Sequence, residues 1–165
     1  MSWRKIILVT TAVLFIAGIA TIDFAQAGEK EKWHGTSYTV KWEQIEIGDE
    51  EGHVIAIYEQ KQVYFNEMTG EKTPSTTFGI LDLNIKTGQG SGHGYGVSFY
   101  KDGAKTFRTW EGKSVGEGHW RGTYSLIKGT GKYEGIKGGG TWDSYSLAPQ
   151  QSYLEGEGET EIPGQ

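Results

Sequence analysis

The chain has 165 residues, 36% of them hydrophobic and 13% aromatic, with a formal net charge of −5. It contains no cysteine, which excludes a disulfide framework and any thiolate metal site. Mild acidity without a basic patch argues against nucleic acid and anionic membrane surfaces as partners.

In chain order, the first element is a basic start, Met1-Ser2-Trp3-Arg4-Lys5, followed by an apolar run from Ile6 to Ala20 and by Ala25-Gln26-Ala27. This pattern predicts a secretory signal peptide over residues 1–27, cut after Ala27. The expected location is therefore secreted or periplasmic, with no stable membrane insertion after cleavage. Loss of Arg4, Lys5 and Asp23 would move the net charge from −5 to −6. Residues 28–165 make one domain, long enough to bury about two-thirds of its unfolded surface. With no cross-link available, Trp, Tyr and Phe must supply the buried area.

Residues 28–34, GEKEKWH, read as a charged, mobile lead up to Trp33. Beyond it no segment sustains a helical period, and glycine is too frequent for stable helices. Eight strands are predicted, at about 35–47, 53–66, 75–87, 92–101, 104–112, 115–127, 137–147 and 150–161. The Lys101-Asp102-Gly103 turn is the strongest hairpin signal. Short connections between neighbours predict an all-β fold, a single eight-stranded antiparallel up-and-down barrel of lipocalin-like form. The stretch 129–142, GTGKYEGIKGGGTW, reads as a tight glycine corner with Tyr133 as its bulky anchor.

Alternation assigns faces but not which face is inside. Arg108 shares a face with Thr106 and Trp110, and Trp120 shares one with Tyr124 and Leu126. Arg108, Trp110, Trp120 and Tyr124 are the candidate ligand-binding residues. The last strand carries a ladder of Glu155, Glu157 and Glu159 on one face, expected outside, and small residues on the other. The four histidines fall on different elements without an HxH or HExxH pair, so no metal or cofactor site is expected. No G-x-S-x-G is present. Catalytic residues stay unassigned. By residue type alone, Glu43, Glu59, Asp82, Arg108 and Glu111 are the polar groups to consider.

The glycine corner, together with DGAKTFRTWEG (102–112) and the G-x-G-x-W strand at 116–120, resembles the allene oxide cyclase/dirigent barrel group, in its bacterial secreted members. The similarity covers roughly residues 75–162. It implies a lipocalin-like barrel with a central cavity and licenses no particular reaction. Three functions follow as expectations. The first is an exported barrel binding a small, largely apolar molecule in an aromatic-lined cavity. The second is an allene oxide cyclase-like isomerase or cyclase acting by conformational control of its substrate. The third is a structural or assembly barrel without ligand, since two-sided apolar character near 54–58 allows a homo-oligomer. Composition and motifs do not decide whether the protein is an enzyme.

Overall fold

The computed structural model describes residues 28–164. The predicted signal peptide over residues 1–27 lies outside the described residues. Eight antiparallel strands close into one barrel in sequence order: β1 (Glu29–Glu46), β2 (His53–Asn66), β3 (Lys72–Asn84), β4 (Gln89–Phe99), β5 (Lys105–Gly116), β6 (His119–Gly129), β7 (Lys137–Ala148) and β8 (Gln151–Glu161). Closure pairs β1 with β8, so neither is left as an open edge.

Closure also explains the main departure from the sequence reading. The lead 28–34 is not a free tail: Glu29 to Tyr38 pair with β8, and Trp33 to Glu46 pair with β2. A staggered barrel asks its seam strand to reach both neighbours at different heights, which makes β1 the longest strand at 18 residues. Following one register row round the wall gives Trp42, Tyr58, Gly79, Gly94, Trp110, Tyr124, Gly140 and Gly158, and the row re-enters β1 at Glu31.

The glycine corner is shorter than its sequence suggests. The turn occupies 130–136 and contains a 3-10 turn over Gly131–Tyr133, while Gly138, Gly139 and Gly140 are strand residues of β7. Between β5 and β6 the predicted sixth strand begins too early. Glu117 and Gly118 form the turn, with Gly118 at φ +65°, and Gly116 pairs with His119 across it.

Alternation holds along much of the wall, but it lapses at Ser75–Thr77 of β3, which are all buried. The register shifts in β1 between Thr39 and Lys41, in β5 at Phe107/Arg108 and Ser114/Gly116, and in β7 at Ser146/Ala148. Val54, Ala56 and Tyr58 of β2 are buried inside, while Ile57 on the opposite face is 54% exposed. The glutamate ladder of β8 lies outside, as its alternation with Leu154, Gly156 and Gly158 requires. Outward on β2–β4, Ile57 pairs with Ile80 and Phe78 with Tyr95, and all four side chains are exposed.

The inward glycines have a common purpose. A Cβ on Gly79 would stand 2.5 Å from both Trp110 Cζ2 and Tyr58 Cε1, and one on Gly112 would stand 2.5 Å from Trp142 Cζ2. Gly94 likewise leaves room for the Trp110 ring, Gly96 for the Arg108 guanidinium and Gly156 for Trp33. Large side chains thus lie flat along glycine-lined wall instead of meeting at the axis. That arrangement keeps the middle of the barrel hollow.

Candidate functional site

A cavity of about 920 Å³ occupies the barrel interior, within the size range of small-molecule sites. Its lining runs from Glu71 and Lys132 at one end to Ile85 and Gln150 at the other. The middle is aromatic. Tyr58, Trp110 and Tyr124 are buried together, with Trp33, Leu81, Leu126 and Trp142 packed against them. Trp110 meets Trp142 edge-on at 5.9 Å between ring centroids, and Tyr58 lies 6.1 Å from Trp110. The indole of Trp110 donates to the Phe78 carbonyl at 3.3 Å, and that of Trp142 to the Thr123 carbonyl at 3.1 Å. Both rings are therefore held in place by strand backbone.

A polar layer adjoins this belt. Arg108 crosses the Gly96 position toward β3 and β2, and Nη2 donates to Gln62 Oε1, Tyr64 Oη, Ser75 Oγ and Thr77 Oγ1 at 2.9–3.1 Å. Nη1 donates to Ser98 Oγ at 3.0 Å. Gln62 Oε1 also accepts from Tyr64 at 2.5 Å and from Thr77 at 2.7 Å, so the arginine sits in a connected set of neutral oxygens. Burial pushes the Tyr58 and Tyr64 hydroxyls above the ordinary phenol range.

Toward the end that carries the 130–136 turn, Tyr124 donates to Glu31 Oε1 at 3.2 Å, and Thr160 donates to the same oxygen at 3.4 Å. Burial raises the Glu31 carboxyl above its ordinary value of 4.5; the two hydroxyls oppose the shift and the Glu29 charge adds to it. Tyr124 is raised in turn by burial and by the Glu31 charge. At this end Tyr133 lies against Tyr100, with ring centroids 4.2 Å apart and planes tilted by 37°, and both line the cavity. Both phenols are pushed up to about 12, first by burial.

The structure brings all four sequence candidates to the cavity wall, but not to one place. Trp110 and Tyr124 are register partners in the buried belt. Arg108 belongs to the polar layer. Trp120 stands toward the opposite end, paired with Ser114 and Ser144, outside the buried aromatic cluster. Among the acidic groups considered from sequence, none of Glu43, Glu59, Asp82 and Glu111 lines the cavity. Glu43 and Glu111 are exposed, Glu59 pairs with Lys61 at 2.7 Å, and Asp82 accepts from His53 at 2.8 Å on the outside. The carboxylates that line the cavity are Glu29, Glu31 and Glu71, and Glu31 is the one that Tyr124 and Thr160 hold. Glu31 escaped the sequence reading because it lies in the charged lead, where Glu and Lys alternate as a solvated tail would.

Outside the barrel, Asp143 accepts from His119 at 2.6 Å and from Arg121 at 2.9 Å, and His53 bridges Asp49 and Asp82. Among the described residues no group of three or more His, Asp or Glu side chains could hold a metal ion.

These features define a closed β-barrel with a hollow, aromatic-belted interior and a polar layer at one side of the belt. No family model matches the chain, and no curated protein matches it. Among solved structures it is similar to the pterocarpan synthase dirigent protein GePTS1, at 11% identity and a TM-score of 0.49, over 90% of this chain and 97% of that one. What this barrel does must follow from its own cavity.

Proposed function

We propose that the protein is an exported barrel that binds a small, largely apolar molecule in its interior. Arg108, Trp110, Trp120 and Tyr124 serve as ligand-contacting residues. The observation that carries this reading is the cavity of about 920 Å³ walled by Tyr58, Leu81, Trp110 and Trp142. Rings fixed by backbone hydrogen bonds present apolar surface without having to be ordered on binding, which lowers the cost of capture. Titration of the mature protein with an apolar fluorophore tests it. Saturable binding accompanied by quenching of tryptophan emission is expected. A flat titration would overturn the binding function.

A second reading is favoured by Glu31. A carboxyl whose pKa burial raises, held beside a phenol at one end of the cavity, is equipped to give or take a proton from a confined substrate. An isomerase or cyclase that mainly confines its substrate needs little more. The separating measurement is chromatography of the molecule that co-purifies with the barrel. If Glu31→Gln retains that molecule unconverted while the parent protein yields a rearranged product, the barrel is an enzyme. Identical molecules from both leave it a binder.

A further inference from the structure

The polar layer has a charge without a counter-charge. Among the described residues no carboxylate lies within 4.0 Å of Arg108, and the oxygens around it belong to Gln62, Tyr64, Ser75, Thr77 and Ser98. Those groups crowd onto Nη2 and one hydrogen of Nη1. Nε and the second Nη1 hydrogen have no acceptor among the described residues. Arg108 is half-buried, and a guanidinium partly withdrawn from water gains more from a charged acceptor than from neutral oxygens.

The two ends of the cavity differ in a way that orients such an acceptor. At the end nearer Arg108 the lining includes Glu29, Glu31 and Glu71, while Lys30 and Lys132 of the same end are paired with Glu159 and Asp102. That mouth is acidic, and the tilted Tyr100–Tyr133 pair lines it. Beyond the aromatic belt the lining includes Trp42, Leu83, Ile85 and Trp120.

We propose that the cavity selects an amphiphilic anion, whose carboxylate or sulfate head docks on Arg108 and whose apolar body runs along the aromatic belt toward Trp42 and Trp120. The inference rests on the binding function proposed above and names the chemical class that the site takes. Buried neutral hydroxyls alone would accept an alcohol as readily as an acid. Arg108 makes the difference.

The test compares three probes of equal chain length, each below its micelle-forming concentration: decanoate, decanol and decyltrimethylammonium. Affinities are read by calorimetry on the mature wild-type protein at neutral pH. Decanoate is expected to bind about tenfold or more tighter than decanol, the size of one charge-assisted hydrogen bond, and the cation weakest. Arg108→Gln should bring the decanoate-to-decanol ratio toward one. If that variant does not fold, Arg108→Lys, which keeps the charge but not the forked geometry, should keep part of the preference. Decanol binding as tightly as decanoate in the wild type, or the cation binding tightest, would overturn the anion while leaving the apolar cavity standing. Failure of all three probes would overturn both.

Discussion

The Tyr124 hydroxyl reaches Glu31 Oε1 at 3.2 Å, linking β6 to the start of β1 across 93 positions of sequence. It does so over Gly158, where a side chain would collide with the phenol oxygen. The contact joins the aromatic belt to the carboxylate at the cavity end and lies beside the seam that closes the barrel.

Glu31 gives the first prediction. Because its folded pKa is raised above the ordinary 4.5, the folded protein keeps a proton that the unfolded chain releases. Its stabilising share is complete below about 4.5 and is lost as pH rises through the folded value. Glu31→Gln removes that dependence. Urea midpoints measured from pH 4 to pH 8 should move in favour of the Gln variant as pH rises, and parallel curves would contradict the shift.

Gly79 gives the second. Its missing Cβ is the space that Trp110 and Tyr58 occupy, so Gly79→Ala forces both rings to move and should cost roughly 1–3 kcal/mol. Gly116→Ala, where nothing lies within 4 Å and φ is not positive, should be close to neutral. Denaturant unfolding measures the difference, and near-ultraviolet dichroism should change only for Gly79→Ala.

The glycine corner supplies a third. Gly131 and Gly135 hold φ of +60° and +77°, and a Cβ on Gly135 would stand 3.0 Å from Pro163 Cγ. A β-branched residue is strained there by roughly 1–3 kcal/mol. Gly131→Val and Gly135→Val should each lower the melting temperature relative to Gly116→Val. Three equal melting curves would show the corner to be an ordinary loop.

Trp110 and Trp120 should separate cleanly. Trp110 is 8% exposed within the buried belt, so Trp110→Ala should cost about 3–5 kcal/mol. Trp120 lines the cavity outside that cluster and loses fewer contacts on truncation. Trp120→Ala should unfold at a midpoint much closer to wild type while weakening binding of an apolar fluorophore.

The β1 seam is tested by deletion. Residues 29–34 pair with β8, so removing 28–34 takes away Trp33 and Glu31 and exposes part of the β8 backbone. The truncated chain should melt at a markedly lower temperature and tend to aggregate. Unchanged melting would return this segment to the status of a tail.

Much of this architecture was legible in the sequence because it is written in local rules. Two-residue alternation along Thr106, Arg108 and Trp110, and along Trp120, Gly122 and Tyr124, fixes which residues share a face whatever the strand packs against. Turn chemistry such as Lys101-Asp102-Gly103 separates the strands, and eight neighbours joined by short turns can close. The glutamates of the last strand could be expected outside for the same reason.

Closure, register and inside-out sense required the tertiary structure. Glu29 to His34 has the composition of a solvated tail, and only pairing with β8, distant in sequence, makes it strand and turns Glu31 inward. The stagger that separates Trp120 from the belt containing Trp110 and Tyr124 belongs to the whole sheet and to no single strand. The hollow interior likewise depends on cross-strand partners: Gly79 beside Trp110, Gly96 beneath Arg108, Gly158 beneath Tyr124. A glycine in sequence says only that the backbone is free. What lies over it is decided by strands that sequence proximity does not bring together, and here that is what converts an aromatic-rich chain into a cavity.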